Sequence, residues 1–96
     1  MTYNEFKQSL TDSQPPIAVP VLLKALWYDG KGDWELAHEI AQSAEGTQAY
    51  DRLHAYLHRK EGDQWNANYW YQRARITMPT MSLEQEWEYL VKSYLE

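Results

Sequence analysis

The sequence predicts an all-α chain, five to six helices arranged as tandem antiparallel hairpins with capping helices at both ends. Three observations predict it. Apolar residues recur every three or four positions in each long segment, the period of a helix with one buried face. Helix punctuation (Gly-Asp pairs, Ser and Thr caps, prolines) falls between those segments. No segment alternates apolar and polar residues in the way a half-buried strand must.

The elements follow in order. Tyr3, Phe6 and Leu10 stand at helical spacing, and Thr2 and Glu5 form a capping-box pair in which each side chain satisfies a free backbone N–H of the first turn. Pro15-Pro16 stops that helix. A second helix is predicted from about Val19 to Asp29, with Pro20 in its first turn and apolar residues nearly all round. Gly30-Lys31-Gly32 breaks it, and Asp33 caps a third helix from Trp34 to about Ala44, ended by Gly46. A fourth runs from about Gln48 to Glu61 on the stripe Tyr50, Leu53 and Leu57. Gly62 and Asp63 repeat the break and the cap, and a fifth helix carries Trp65 to about Ile76, with Pro79 closing it. Ser82 and Gln85 form a second capping box. It opens a last helix with Leu83, Trp87, Leu90, Val91 and Tyr94 on one face and Glu84, Glu86 and Glu88 on a solvated one.

Composition narrows the function classes. Five Trp and eight Tyr against one Phe make an amphipathic core, because indole N–H and phenol O–H groups need partners when buried. Without cysteine there is no disulfide scaffold, thiol nucleophile or thiolate metal site. A net charge of −5 lacks the basic footprint of a nucleic-acid binder. The most apolar stretch, Ile17 to Tyr28, is shorter than the roughly 20 residues a bilayer requires. The first residues lack a signal-peptide pattern, so the expectation is a cytoplasmic protein that does not engage membranes.

An internal repeat organises the middle of the chain. Ala25, Gly32, Asp33, Ala37 and Ala44 recur as Ala55, Gly62, Asp63, Ala67 and Ala74, each displaced by 30 residues. Gly-Asp turns the chain and caps the next helix, while the paired alanines let helices approach closely. This arrangement resembles the tetratricopeptide repeat. In the second hairpin Ala55, Gly62, Ala67, Tyr71, Ala74 and Pro79 match that family's small, turn, small, aromatic, small and proline positions. The period is shorter than the family's roughly 34 residues, and Asp51 stands where the family has an early aromatic. The stretch His54 to Ala74 is also similar to small bacterial proteins of unassigned function. The predicted organisation is one helical domain: residues 1–16 as N-terminal helix and linker, 17–46 and 47–79 as the two hairpins, and 80–96 as the C-terminal cap.

The resemblance implies a concave surface lined by the first helix of each hairpin, where extended peptides bind. Arg52, Tyr56, Arg59 and Lys60 would then face a groove suited to a protein or peptide partner with an acidic side chain or a C-terminal carboxylate. A non-catalytic interaction module is the leading reading. Its alternative is a self-associating homodimer that buries apolar surface from Ile17–Tyr28 or Tyr69–Tyr71. A further alternative rests on His54 and His58, four residues apart and so on one helix face, with His38 as a third metal ligand. The leading reading of these histidines is a hydrogen-bonded place in an aromatic core, with no cofactor. No nucleophile with its base, acid–base pair or phosphate loop is identifiable, so no enzyme is expected.

Overall fold

The computed structural model describes residues 1–95. Six α-helices follow one another: α1 (Tyr3–Gln8), α2 (Val21–Gly30), α3 (Trp34–Gln42), α4 (Gln48–Lys60), α5 (Gln64–Arg73) and α6 (Leu83–Tyr94), with a 3₁₀ turn at Ser9–Thr11 after α1. Among the described residues there is no strand. Nor is any helix long and apolar enough to cross a membrane.

Both predicted capping boxes form. The Thr2 hydroxyl accepts from the Glu5 N–H at 3.1 Å while Glu5 accepts from the Thr2 N–H at 2.8 Å. Ser82 and Gln85 make the reciprocal pair at 3.0 Å each way. Asp33 and Asp63 cap α3 and α5 by accepting from the Leu36 and Asn66 N–H groups. The two hairpin turns share one mechanism. Gly32 and Gly62 take φ near +90°, and the next residue's N–H reaches back to Tyr28 or His58 at 2.9 Å, closing the preceding helix. Gly30 has a different role: Leu10 and Trp87 lie 3.0–3.2 Å from where its Cβ would stand, so it permits close packing rather than a turn.

Several helix ends differ from the sequence expectation: α2 begins at Val21 with Pro20 as its N-cap, and α3 ends at Gln42. α5 stops at Arg73, and Arg75 adopts φ 64°, with Ile76 N–H bonded to Tyr71 O and Arg75 N–H to Gln72 O. A left-handed arginine therefore closes the helix before Pro79 is reached.

α2 packs on α3 and α4 on α5 across these turns, and α3 joins the pairs by packing on α4. The alanines at the contacts (Ala25, Ala37, Ala55, Ala67 and Ala74) are fully buried, whereas Ala44 is only half-buried. α6 returns across α1, α2 and α4 and inserts Trp87, Leu90 and Val91 into the main core beside Phe6, Leu23, Leu26, Leu53 and Leu57. A smaller cluster, Ala55, Ala67, Trp70 and Tyr71, lies under α5. Three indoles find acceptors: Trp27 on Ser9, Trp87 on the Leu26 carbonyl, and half-buried Trp34 on the Leu57 carbonyl.

Candidate functional site

The four residues expected to line an open groove are brought together, but against the chain's own helices. Arg59 donates to Glu86 at 2.7 Å and to the Met81 carbonyl, and Arg52 reaches Glu86 at 3.5 Å. Tyr71 adds its hydroxyl to the same carboxylate at 2.5 Å. Tyr56 is 2 % exposed and donates to Asp29 at 3.1 Å, where Lys60 also bonds at 2.8 Å. α6 thus occupies the face that the resemblance assigns to a peptide. Tyr56 and Lys60 still border a cleft of about 470 Å³ shared with Tyr3, Lys7 and Trp87.

Glu86 corrects the reading of α6. It was expected on a solvated face, yet it has no exposed surface. It stands three residues after Leu83 and four before Leu90, inside the apolar stripe, and two guanidinium groups and a phenol compensate its charge there. Asp29 and Asp51 are likewise buried, Asp51 accepting from the Gly46 N–H to fasten the link between the hairpins. Burial, reinforced by these neighbouring carboxylates, holds the Tyr56 and Tyr71 phenols well above the usual tyrosine range.

The three histidines are the second constellation. His54 and His58 lie one turn apart on α4, and His38 faces them from α3; their potential ligand nitrogens all fall within 4.8 Å of one another. Nε2 of His38 is 2.9 Å from Nε2 of His54, one ring donating to the other. The Nδ1 atom of His58 is 2.7 Å from the Glu61 carboxylate. Indole faces wall the cluster: Trp34 stacks on His38 at 4.7 Å and Trp70 on His54 at 4.0 Å. Nδ1 of His54 is buried with no partner. Burial pushes His54 down to about 4, with the neighbouring His38 and His58 rings acting in the same direction. His38 is lowered for the same leading reason. Both shifts favour the uncharged ring.

A third feature joins Tyr69, from the run that the sequence singled out, to Trp65, which it did not. Trp65 is 75 % exposed on α5 and lies parallel to Tyr69, with ring centroids 6.1 Å apart and planes 9° from parallel. Arg73 donates to the Tyr69 hydroxyl at 3.0 Å and lies over the Tyr69 and Trp70 rings. The i, i+4, i+8 spacing of Trp65, Tyr69 and Arg73, opposite Ala67 and Tyr71, was the available signal. Of the run Tyr69-Trp70-Tyr71, only Tyr69 is exposed. Asn68, 30 residues after His38 and so at its place in the repeat, is exposed, whereas His38 is half-buried.

Comparisons with family models, with characterised proteins and with solved structures returned no match for this chain.

Proposed function

We propose that the chain is a non-catalytic, cytoplasmic protein-interaction module of tetratricopeptide-like hairpins that engages its partner through the outer face of α5. The observation that carries this reading is the parallel Trp65–Tyr69 pair, an aromatic surface left in solvent, with Arg73 bonded to the Tyr69 hydroxyl beside it. Trp, Tyr and Arg are the residue types that dominate binding energy at protein interfaces.

Charge supports the same face. The chain has 14 acidic residues, yet α5 alone among the six helices carries no carboxylate, and its one charged residue is Arg73. An acidic segment of a partner protein suits it, with a carboxylate on Arg73 and an apolar or proline side chain on the Trp65 ring. The cations Arg52, Arg59 and Lys60 are less suited, since any partner would first have to displace their bonds to Glu86 and Asp29.

The test places a photo-crosslinking residue at exposed Gln72, two turns along α5 from Trp65, in one variant and at exposed Glu39, on α3, in another. A protein captured from position 72 alone is then titrated with the purified wild-type chain and with Trp65→Ala and Arg73→Glu. Loss of a hot-spot contact, worth about 2 kcal/mol or more, weakens binding about 30-fold. Equal affinity for wild type and both variants overturns the assignment. Capture of a second copy of the chain, with sedimentation showing a dimer that depends on Trp65, replaces it with self-association.

A further inference from the structure

Every histidine in the chain, three of 96 residues, sits in the single cluster on α3 and α4. A hydrogen bond between His38 and His54 accounts for two of the rings but gives the third no role. His58 nevertheless stands 5.1 and 4.9 Å, centroid to centroid, from the other two.

We propose that His38, His54 and His58 form a three-nitrogen binding site for a divalent transition metal of the zinc type, with Glu61 orienting His58. Two lines of geometry support it. The i, i+4 pair on α4 presents two rings on one face, and α3 supplies the third from a neighbouring element, so ligands from both hairpins converge. A tetrahedral ion with bonds of about 2.0–2.1 Å needs nitrogens about 3.3 Å apart. The 2.9 Å His38–His54 separation and the 4.8 Å outer limit bracket that value, so small rotations of the rings would close the site.

The second line is the environment of the rings. Histidine ligands commonly donate their other ring N–H to a carboxylate, which fixes the tautomer and strengthens the ligand. Glu61 does this at Nδ1 of His58, leaving Nε2 for the cluster. The Trp34 and Trp70 faces hold the His38 and His54 rings in place before any ion arrives.

Imidazole ligands suit zinc, copper and nickel, and calcium and magnesium prefer oxygen. With three protein ligands, a water or a small anion completes four-coordination, the composition of an open rather than a closed zinc site. Because His38 belongs to one hairpin and His54 and His58 to the other, the ion would also fasten the hairpins together. This inference is independent of the α5 surface.

The experiment uses the full chain without an affinity tag, stripped by a chelator and titrated with zinc and, separately, with cobalt. Zinc is followed by calorimetry and by histidine-detected NMR, in which all ring signals come from this site. The expected result is one equivalent bound, a shift of all three imidazoles, visible d–d absorption of four-coordinate cobalt, and a Tm rise of about 10 °C or more at a hundredfold excess over Kd. Glu61→Gln should weaken zinc binding about 10- to 100-fold while leaving the one-to-one stoichiometry. Failure of any imidazole to shift, or a cobalt spectrum of the fully hydrated ion, overturns the proposal. Neither readout depends on a histidine variant folding.

Discussion

The buried Glu86 centre yields the sharpest test of how α6 is held. Truncation in Glu86→Ala removes a carboxylate with no solvent exposure and leaves the Arg59 and Arg52 guanidinium groups and the Tyr71 hydroxyl without their acceptor. Breaking a buried ion pair from one side costs about 3–5 kcal/mol. Here the arginine side chains keep 17 and 15 % of their surface, so water can rehydrate them in part, and the lower end, about 3 kcal/mol, applies. A domain of 96 residues has a total stability of roughly 5–14 kcal/mol, so the loss is a large fraction of it. In thermal terms it lowers Tm by about 12–24 °C. Urea denaturation followed by tryptophan fluorescence and by circular dichroism measures it, as a lower midpoint at unchanged slope. Glu86→Gln keeps the shape and one acceptor oxygen and should lose about half as much. In a double-mutant cycle with Arg59→Ala, the combined loss should fall short of the sum by about 1–3 kcal/mol. A cost below about 1 kcal/mol for Glu86→Ala would refute the reasoning, because α6 would then be held by Trp87, Leu90 and Val91 without help from the ionic centre.

Three further outcomes are expected. Gly62→Ala should destabilise by about 1 kcal/mol because φ is +88°, although nothing lies near the added methyl; Arg75→Gly, at φ +64°, should stabilise by up to about 1 kcal/mol, and paired chemical denaturation checks both signs. Raising pH from about 8, above the ordinary histidine range, should leave stability unchanged until the unfolded tyrosines begin to ionise near 10 and then erode it. The sign follows because the folded chain keeps Tyr56 and Tyr71 protonated above that point, so it binds more protons than the unfolded chain. Ultraviolet titration should accordingly show fewer than eight tyrosines ionising before unfolding, and Tyr71→Phe should lessen the alkaline loss. Trp65→Ala should change stability by no more than about 0.5 kcal/mol, since that ring is largely in solvent, and a larger change in the urea midpoint would mean that the ring is structural.

Most of the helical frame was legible in the sequence because its determinants are local. Capping boxes at Thr2–Glu5 and Ser82–Gln85, aspartate caps at Asp33 and Asp63 and positive-φ glycines at Gly32 and Gly62 all act within a few residues. Arg75 was not legible as a helix terminator: an arginine with positive φ is uncommon, and Pro79 offered a more ordinary stop. The repeat showed which alanines would be buried at hairpin contacts, with half-buried Ala44 the exception. The pairing of His54 with His58 follows from their spacing alone, but His38 joins them only through the packing of α3 on α4.

By itself, the sequence determined the all-α class, the order of the helices and the stripe each one buries, because hydrogen bonding, capping and periodicity are properties of short segments. The tertiary structure decided which polar groups those stripes would take inside. Glu86 reads as solvated until α6 crosses α4 and meets Arg52 and Arg59; the same crossing turns an expected peptide groove into an internal contact. Burial of a charge depends on whether a compensating charge arrives from elsewhere in the chain, and only the folded arrangement of distant segments supplies it.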